Sequence, residues 1–263
     1  MRERTGGCCA CEIDHQRRGC NSLPGMAAGA PRGKVARAPL MSLVPAIRAA
    51  TVLLLILLAG CGGTPRSGVL FYGDSIFGNW NLQAYFPGQE VINGGHFGKR
   101  TDQLLIALPD ALSGKNVCSG FDGAPGIPAT LKCRPIPPPA TVVILAGWNN
   151  MFQGYNVDAR PNLIQMVELA HEAGVKVVIC TVYPFDPAHP APWMVPTGSA
   201  PVTFYDQWRA PLNDFIRSIK GHDITVVDLS GMFRGESGYT ADGVHPNASG
   251  YAQMRDAIAP LLN

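Results

Sequence analysis

Three residues of this chain could between them move a proton and attack a carbonyl carbon. Ser75 closes Gly73-Asp74-Ser75 within GVLFYGDSIFGNW, where an apolar run gives way to helix-compatible sequence. A serine there sits at a helix N-terminus, where backbone N–H groups and the helix dipole favour developing negative charge. Alone, the tripeptide reads equally as a strand–helix turn with Asp74 or Ser75 as N-cap. Far downstream, Thr240-Ala241-Asp242-Gly243-Val244-His245-Pro246-Asn247 sets a carboxylate three residues before an imidazole, with a glycine turn between them. Such a turn can fold Asp242 onto Nδ1 of His245 and leave Nε2 outward as a base. Pro246 restricts the His245 backbone to extended conformations, and Asn247 can cap the final helix. Ser75, His245 and Asp242 are the parts of a Ser–His–Asp triad, which is recognised by role rather than by chain order.

Acyl chemistry also needs donors where an oxyanion forms. Two segments offer them: Asn93-Gly94-Gly95-His96-Phe97-Gly98 and Gly147-Trp148-Asn149-Asn150. A glycine at a strand end lets the backbone N–H approach a ligand closely, and the amides of Asn149 and Asn150 can donate. Each segment also reads as an ordinary Gly/Asn turn. What favours donors is position, since each falls just past a predicted strand on the same rim as Ser75.

The elements that must hold these groups follow from apolar runs. Val69–Tyr72, Glu90–Ile92, Thr141–Leu145, Val175–Thr181 and Thr225–Leu229 read as strands. The third and fourth are nearly continuous in apolar and β-branched residues, as when both faces of a sheet are covered. Helical spacing appears at Leu163/Met166/Val167/Ala170, Trp208/Leu212/Phe215/Ile219 and Tyr251/Met254/Ile258/Leu261. This alternation predicts an α/β fold, a three-layer α/β/α sandwich on a five-stranded parallel sheet. Two segments read as loops. Ser113–Pro139 carries four Gly and six Pro. Pro184–Pro201 follows the fourth strand, where ligands of open α/β sheets bind, and reads equally as a loop lining the site or as a proline-stiffened surface excursion. Cys118 and Cys133 bracket part of the first loop, and a disulfide between them is expected. Cys180 lies in an apolar strand and reads as a buried free thiol.

Charge and composition exclude other functions. Of 263 residues 46% are hydrophobic and 15% charged, enough for a sizeable core. Residues 1–60 hold 8 Lys+Arg against 3 Asp+Glu, leaving 13 against 16 in residues 61–263. No basic patch remains there to bind nucleic acid. Met41–Cys61, MSLVPAIRAATVLLLILLAGC, has a positive start and an apolar stretch of signal-peptide length. Its end, Leu58-Ala59-Gly60-Cys61, resembles a bacterial lipobox with Cys61 as the acylated residue. The expected organisation is an extension over 1–40, a lipoprotein signal peptide over 41–60, a lipidated cysteine and tether over 61–67, and one α/β domain over 68–263. Met26 and Met41 are alternative starts. A lipid-anchored protein facing the periplasm, in the outer membrane, follows as the expectation, because Gly62 rather than Asp follows the cysteine.

The four blocks together resemble the SGNH, or GDSL, hydrolases: GDS after strand one, NxGxxG after strand two, GxN after strand three and DxxHP before the last helix. They come in family order over nearly the whole mature domain. The resemblance implies a flavodoxin-like fold, Ser75 as nucleophile, His245 as general base and Asp242 as its orienting partner. It implies an oxyanion hole made of the Ser75 and Gly95 N–H groups and the Asn149 side chain, with no metal and no cofactor. The third block departs from the frequent Gly-x-Asn-Asp by having Asn150, which places a supporting hydrogen bond in question. Trp148 is bulkier than the residue often found there and could narrow the acyl pocket. Trp148 and Trp193, with Phe185 and Met194, are candidate substrate-lining residues, and each reads equally as core.

The expected activity is therefore a serine esterase acting on a small-molecule, glycan or lipid ester through an acyl-enzyme on Ser75. An O-acyltransferase using the same acyl-enzyme and an inactive envelope binding module are the alternatives. No helix shows a separable dimer stripe, so a monomer is expected.

Overall fold

The computed structural model describes residues 65–123, 128–153, 157–186, 202–233, 238–240 and 242–262. Five parallel strands form the central sheet: β1 (Val69–Gly73), β2 (Val91–Gly95), β5 (Thr141–Leu145), β6 (Lys176–Cys180) and β7 (Ile224–Val227). Their order is β2-β1-β5-β6-β7. All five residues of β1 and of β5 are buried, as central strands covered on both faces require. The order reverses between β1 and β5, and the crevice at such a reversal, beyond the carboxyl ends of the strands, is where open α/β sheets place their sites. In register, Gly73 at the end of β1 lies beside Gly95 of β2 and Leu145 of β5. The blocks that follow these three strands therefore emerge side by side.

The helices are α1 (Ser75–Gly78), α2 (Leu82–Tyr85), α3 (Thr101–Leu112), α4 (Trp148–Gln153), α5 (Ala159–Glu172), α6 (Val202–Ser218) and α7 (Ala248–Ile258). The predicted apolar faces are buried at Leu163, Met166, Val167 and Ala170 on α5 and at Tyr251, Met254 and Ile258 on α7, whereas of the face predicted on α6 Leu212 is buried and Trp208 is 43% exposed. Helix α3 packs on α5, α5 on α6, and α7 on α2. Among the described residues no helix is long and apolar enough to cross a membrane.

An aromatic cluster fixes α1 and α7 to each other. Phe71, Phe77, Trp80 and Phe86 pack edge-on or tilted, and Tyr251 of α7 stacks on Trp80 at 5.1 Å. The Tyr251 hydroxyl donates to the Ile76 carbonyl at 2.8 Å. Rings of this size supply much of the apolar area that drives packing. Here they tie the segment after β1 to the last helix, although 175 residues separate Ile76 from Tyr251.

Part of the segment read as a loop over Ser113–Pro139 is a small antiparallel hairpin, β3 (Val117–Ser119) with β4 (Lys132–Arg134). Cys118 faces Cys133 across it, and the two are bonded as a disulfide. Strands of three residues are too short to show periodicity in sequence. The hairpin owes its order to this crosslink and to edge bonds with the chain after β2: Gly120 N–H donates to Gly95 O and Phe97 N–H to Gly120 O. Cys180 is a buried free thiol.

Candidate active site

Ser75 opens α1. Asp74 caps the helix, its Oδ1 accepting from Ile76 N–H at 3.0 Å, so the aspartate takes the N-cap role and the serine is the first helical residue. The Ser75 N–H has no acceptor among the described residues. Asp74 is fully buried and its Oδ2 has no partner among the described residues. Burial raises its carboxyl to about 6, against the opposing pull of the Ile76 N–H and of His245.

His245 reaches Ser75 from the other end of the chain. Its Nε2 lies 2.8 Å from Ser75 Oγ, and its Nδ1 lies 2.6 Å from Asp242 Oδ2. The turn that makes this possible is held at every point. Asp242 Oδ1 accepts from Thr240 Oγ1 at 2.7 Å and from Val244 N–H and His245 N–H, both at 2.9 Å. Thr240 N–H donates to His245 O, and the Tyr183 hydroxyl donates to Val244 O. Asn247 caps α7 through Ser249 N–H and Gly250 N–H. Burial works against a charge on Asp242, but the hydrogen bonds from His245, Val244 and Thr240 outweigh it and hold the carboxyl at about 2. An ionised carboxylate only accepts. Nδ1 therefore carries the proton, and Nε2 is free to take the proton of Ser75 Oγ.

The donor side requires one correction. Gly95 was expected to offer its N–H to an oxyanion, yet that N–H is already used, donating to Asn93 Oδ1 at 2.9 Å. Asn93 folds back as an Asx turn and occupies it. Within Asn93–Gly98 the glycine N–H with no acceptor among the described residues is that of Gly98, whose φ of +72° only glycine adopts readily. The second glycine of NxGxxG was the available signal. Gly95 serves packing instead: a Cβ there would lie 2.1 Å from Gly78 N, so its bareness lets β2 approach α1.

Three side-chain amides of α4 hold the loop that carries Gly98. Asn149 Nδ2 donates to Lys99 O at 3.0 Å, which leaves its second N–H unpaired among the described residues, and Gln153 Nε2 donates to Gly98 O. Asn150 Oδ1 accepts from Thr101 N–H at 2.9 Å, while its Nδ2 donates to Thr101 Oγ1 and Val157 O. The departure from Gly-x-Asn-Asp thus keeps the acceptor an aspartate would supply and adds a donor.

Trp148 requires a second correction. It is 2% exposed, stacked on Phe152 at 5.2 Å and edge-on to Tyr183 and Phe185. It is a core residue rather than a wall of an acyl pocket. Gly147, at φ +131°, turns the chain at the end of β5 ahead of this inward side chain. Trp193, Met194 and Cys61 lie outside the described residues.

No curated protein sequence matches this chain. Solved structures share its fold. A Bacteroides fragilis protein assigned to the acylhydrolases aligns at 24% identity and a TM-score of 0.55, covering 76% of this chain and 90% of its own. A GDSL-like lipase from Bacteroides thetaiotaomicron aligns at 22% identity and 0.54, covering 82% and 96%. A member of the lipolytic G-D-S-L family from Veillonella parvula aligns at 18% identity and 0.51, covering 73% and 96%. The model of the GDSL-like lipase/acylhydrolase family matches residues 71–253, from β1 through most of α7. The chain belongs to that family, and is a hydrolase of ester bonds.

Proposed function

We propose that the protein cleaves a carboxylic ester through an acyl-enzyme on Ser75. The observation that carries this reading is the continuous chain Ser75 Oγ–His245 Nε2 at 2.8 Å and His245 Nδ1–Asp242 Oδ2 at 2.6 Å. Ser75 Oγ attacks the ester carbonyl as its proton passes to Nε2, and the imidazolium that forms is stabilised by Asp242. The negative charge that develops on the carbonyl oxygen is met by the Ser75 N–H, the Gly98 N–H and the free N–H of Asn149. His245 then returns the proton to the departing alkoxide. In the second half, His245 takes a proton from the water that attacks the acyl carbon and passes it to Ser75 Oγ as the acyl–oxygen bond breaks, releasing the carboxylic acid and restoring Ser75. The triad residues, the three donors and the acyl-enzyme belong to this proposal.

The test uses p-nitrophenyl acetate, butyrate and octanoate with the wild type and Ser75→Ala, and labelling of Ser75 by a fluorophosphonate. Turnover and labelling that both vanish in Ser75→Ala support the reading. Turnover that survives in that variant overturns it.

The location proposed with this function is the periplasmic side of a bacterial outer membrane, through acylation of Cys61. Labelling with a radioactive fatty acid, present in the wild type and lost in Cys61→Ser, tests the anchor.

A further inference from the structure

A second concave site lies behind the loop that carries Gly98. It has a main lobe of about 410 Å³ and a small lobe of about 50 Å³, and Tyr72, His96 and Cys118 line both. Neither lobe is lined by Ser75, His245 or Asn149. The larger lobe is within the ~300–1,000 Å³ range of small-ligand clefts. Its lining comes from β1, the segment after β2, helix α3 and the disulfide-bonded hairpin.

The feature that singles this cleft out is His96. It is 8% exposed and lines both lobes, and its ring nitrogens have no hydrogen-bond partner among the described residues. Those nitrogens are not among the unpaired side-chain atoms sealed from solvent, so they open onto the cleft, where the atoms of a ligand can pair with them. Burial, and next the neighbouring Lys99, lower its basicity. The ring is therefore neutral at pH 7 and presents one N–H donor and one acceptor nitrogen.

The remaining lining narrows the ligand chemistry. Lys99 Nζ pairs with Asp122 Oδ2 at 2.5 Å at the rim, and Gln103 stands nearby with an amide N–H₂ that makes no hydrogen bond among the described residues. Leu104, Ile106 and Leu131 form the apolar side. The Lys99–Asp122 pair gives the main lobe no net charge to attract either an anion or a cation, and Asp110 opposes an anion in the small one. An alkyl chain would cover His96 and Gln103 without pairing them, which costs free energy. A sugar ring meets every requirement: hydroxyls that both donate and accept, no net charge, and C–H faces for Ile106 and Leu131.

We propose that the His96 cleft is a carbohydrate subsite that holds a neutral sugar unit. The cleft shares its wall with the Ser75 site, because Lys99 lines it while the Lys99 carbonyl accepts from Asn149. Sugar binding does not depend on chemistry at Ser75. Its link to turnover, as the place where the glycan part of an ester is held, rests on the esterase reading above.

The test is titration of the full chain, with ¹⁵N-labelled histidine, by cellobiose and by N,N′-diacetylchitobiose, with sodium octanoate as the acyl-chain probe. The His96 ring resonances should move saturably with at least one disaccharide. His96→Phe and the rim variant Lys99→Met should each weaken that binding about tenfold, the loss expected for one hydrogen bond of ~1.4 kcal/mol. Lys99→Met keeps the test alive where His96→Phe does not fold. No movement with either disaccharide at millimolar concentration overturns the proposal, and so does movement with octanoate alone. Turnover of p-nitrophenyl acetate by the same sample reports on Ser75 separately, so failure of one reading is distinct from failure of the other.

Discussion

Ser119 of the disulfide-bonded hairpin donates its hydroxyl to the Asn93 side-chain oxygen at 3.0 Å. That oxygen also accepts from Gly95 N–H, while Asn93 Nδ2 donates to Phe77 O at 2.7 Å and Trp80 O at 3.1 Å. One buried-edge asparagine thus joins the crosslinked hairpin, the end of β2 and the turn around α1 that carries Ser75. The hairpin is remote in sequence from Ser75, yet it braces the turn that carries it.

Removing that brace is measurable. The double variant Cys118→Ser/Cys133→Ser should lose about 3 kcal/mol, the loop-closure value for a crosslink spanning about 15 residues. For a domain of this size that is a fall in Tm of about 6–12 °C. Ser119→Ala should cost about 1 kcal/mol, the net worth of one hydrogen bond. Thermal unfolding with and without reductant checks both, and a Tm indifferent to the disulfide would contradict this bracing role.

The proposed triad makes a graded series. Ser75→Ala and His245→Ala should each lower kcat by about 10⁶-fold, and Asp242→Ala by about 10⁴-fold. Asn149→Ala should cost on the order of 10²–10³, the size of one oxyanion donor. Steady-state turnover of a p-nitrophenyl ester checks the order, and equal small losses across all four would reject these roles.

The two glycines after Asn93 separate by opposite phenotypes. In Gly95→Ala the new Cβ would sit 2.1 Å from Gly78 N and 2.7 Å from Phe77 C, both backbone atoms. It should destabilise the fold by about 3 kcal/mol. In Gly98→Ala the nearest atom is Gln153 Nε2 at 3.8 Å, so space is available and the cost is the positive φ alone, ~1–2 kcal/mol. Gly98→Ala should therefore fold, yet lose about 10-fold to 10³-fold in kcat as its N–H is re-aimed. Denaturant unfolding set beside kinetics distinguishes the pair.

Stability should carry an acid-side signature of Asp74. Its carboxyl titrates at about 6 in the folded protein, above the ~3.9 of an unfolded chain. The folded state binds that proton more tightly, so the contribution is full below pH ~4 and is lost as pH rises through about 6, up to ~3 kcal/mol in all. Asp74→Asn keeps the capping oxygen and removes the titration. The difference in unfolding free energy between wild type and variant should shift in favour of the variant between pH 4 and pH 7. A difference that stays constant would show that Asp74 does not titrate in that window. Asp242 acts in the opposite sense: its contribution stands above pH ~4 and falls away toward about 2.

Much of this arrangement is legible in sequence, for local reasons. β1, β5 and β6 announce themselves because strands covered on both faces are continuously apolar. Asp242 and His245 are legible because a single four-residue turn brings them together. What escapes is what depends on a distant partner. Whether Gly95 or Gly98 offers its N–H is decided by the rotamer of Asn93, and whether Trp148 faces ligand or core is decided by Phe152, Tyr183 and Phe185. Helix α3 is absent from the sequence expectations, and Pro109 inside it weakens the helical pattern. The β3–β4 hairpin escapes because its order comes from a crosslink and from neighbours after β2.

The first residues of the domain govern which way its mouth points. The Arg66 guanidinium donates to the carbonyls of Leu112 and Pro139, and Ser67 N–H to Pro138 O. All of these lie at the end of the sheet where β1 begins, while Ser75 lies where it finishes, about 17 Å away for a five-residue strand. If Cys61 bears the proposed lipid, the chain that follows it enters the domain, from residue 65 on, at the end of the sheet opposite Ser75. The enzyme would then stand on the bilayer with its mouth outward, working on what diffuses or projects past it and turning its back on the lipids that hold it.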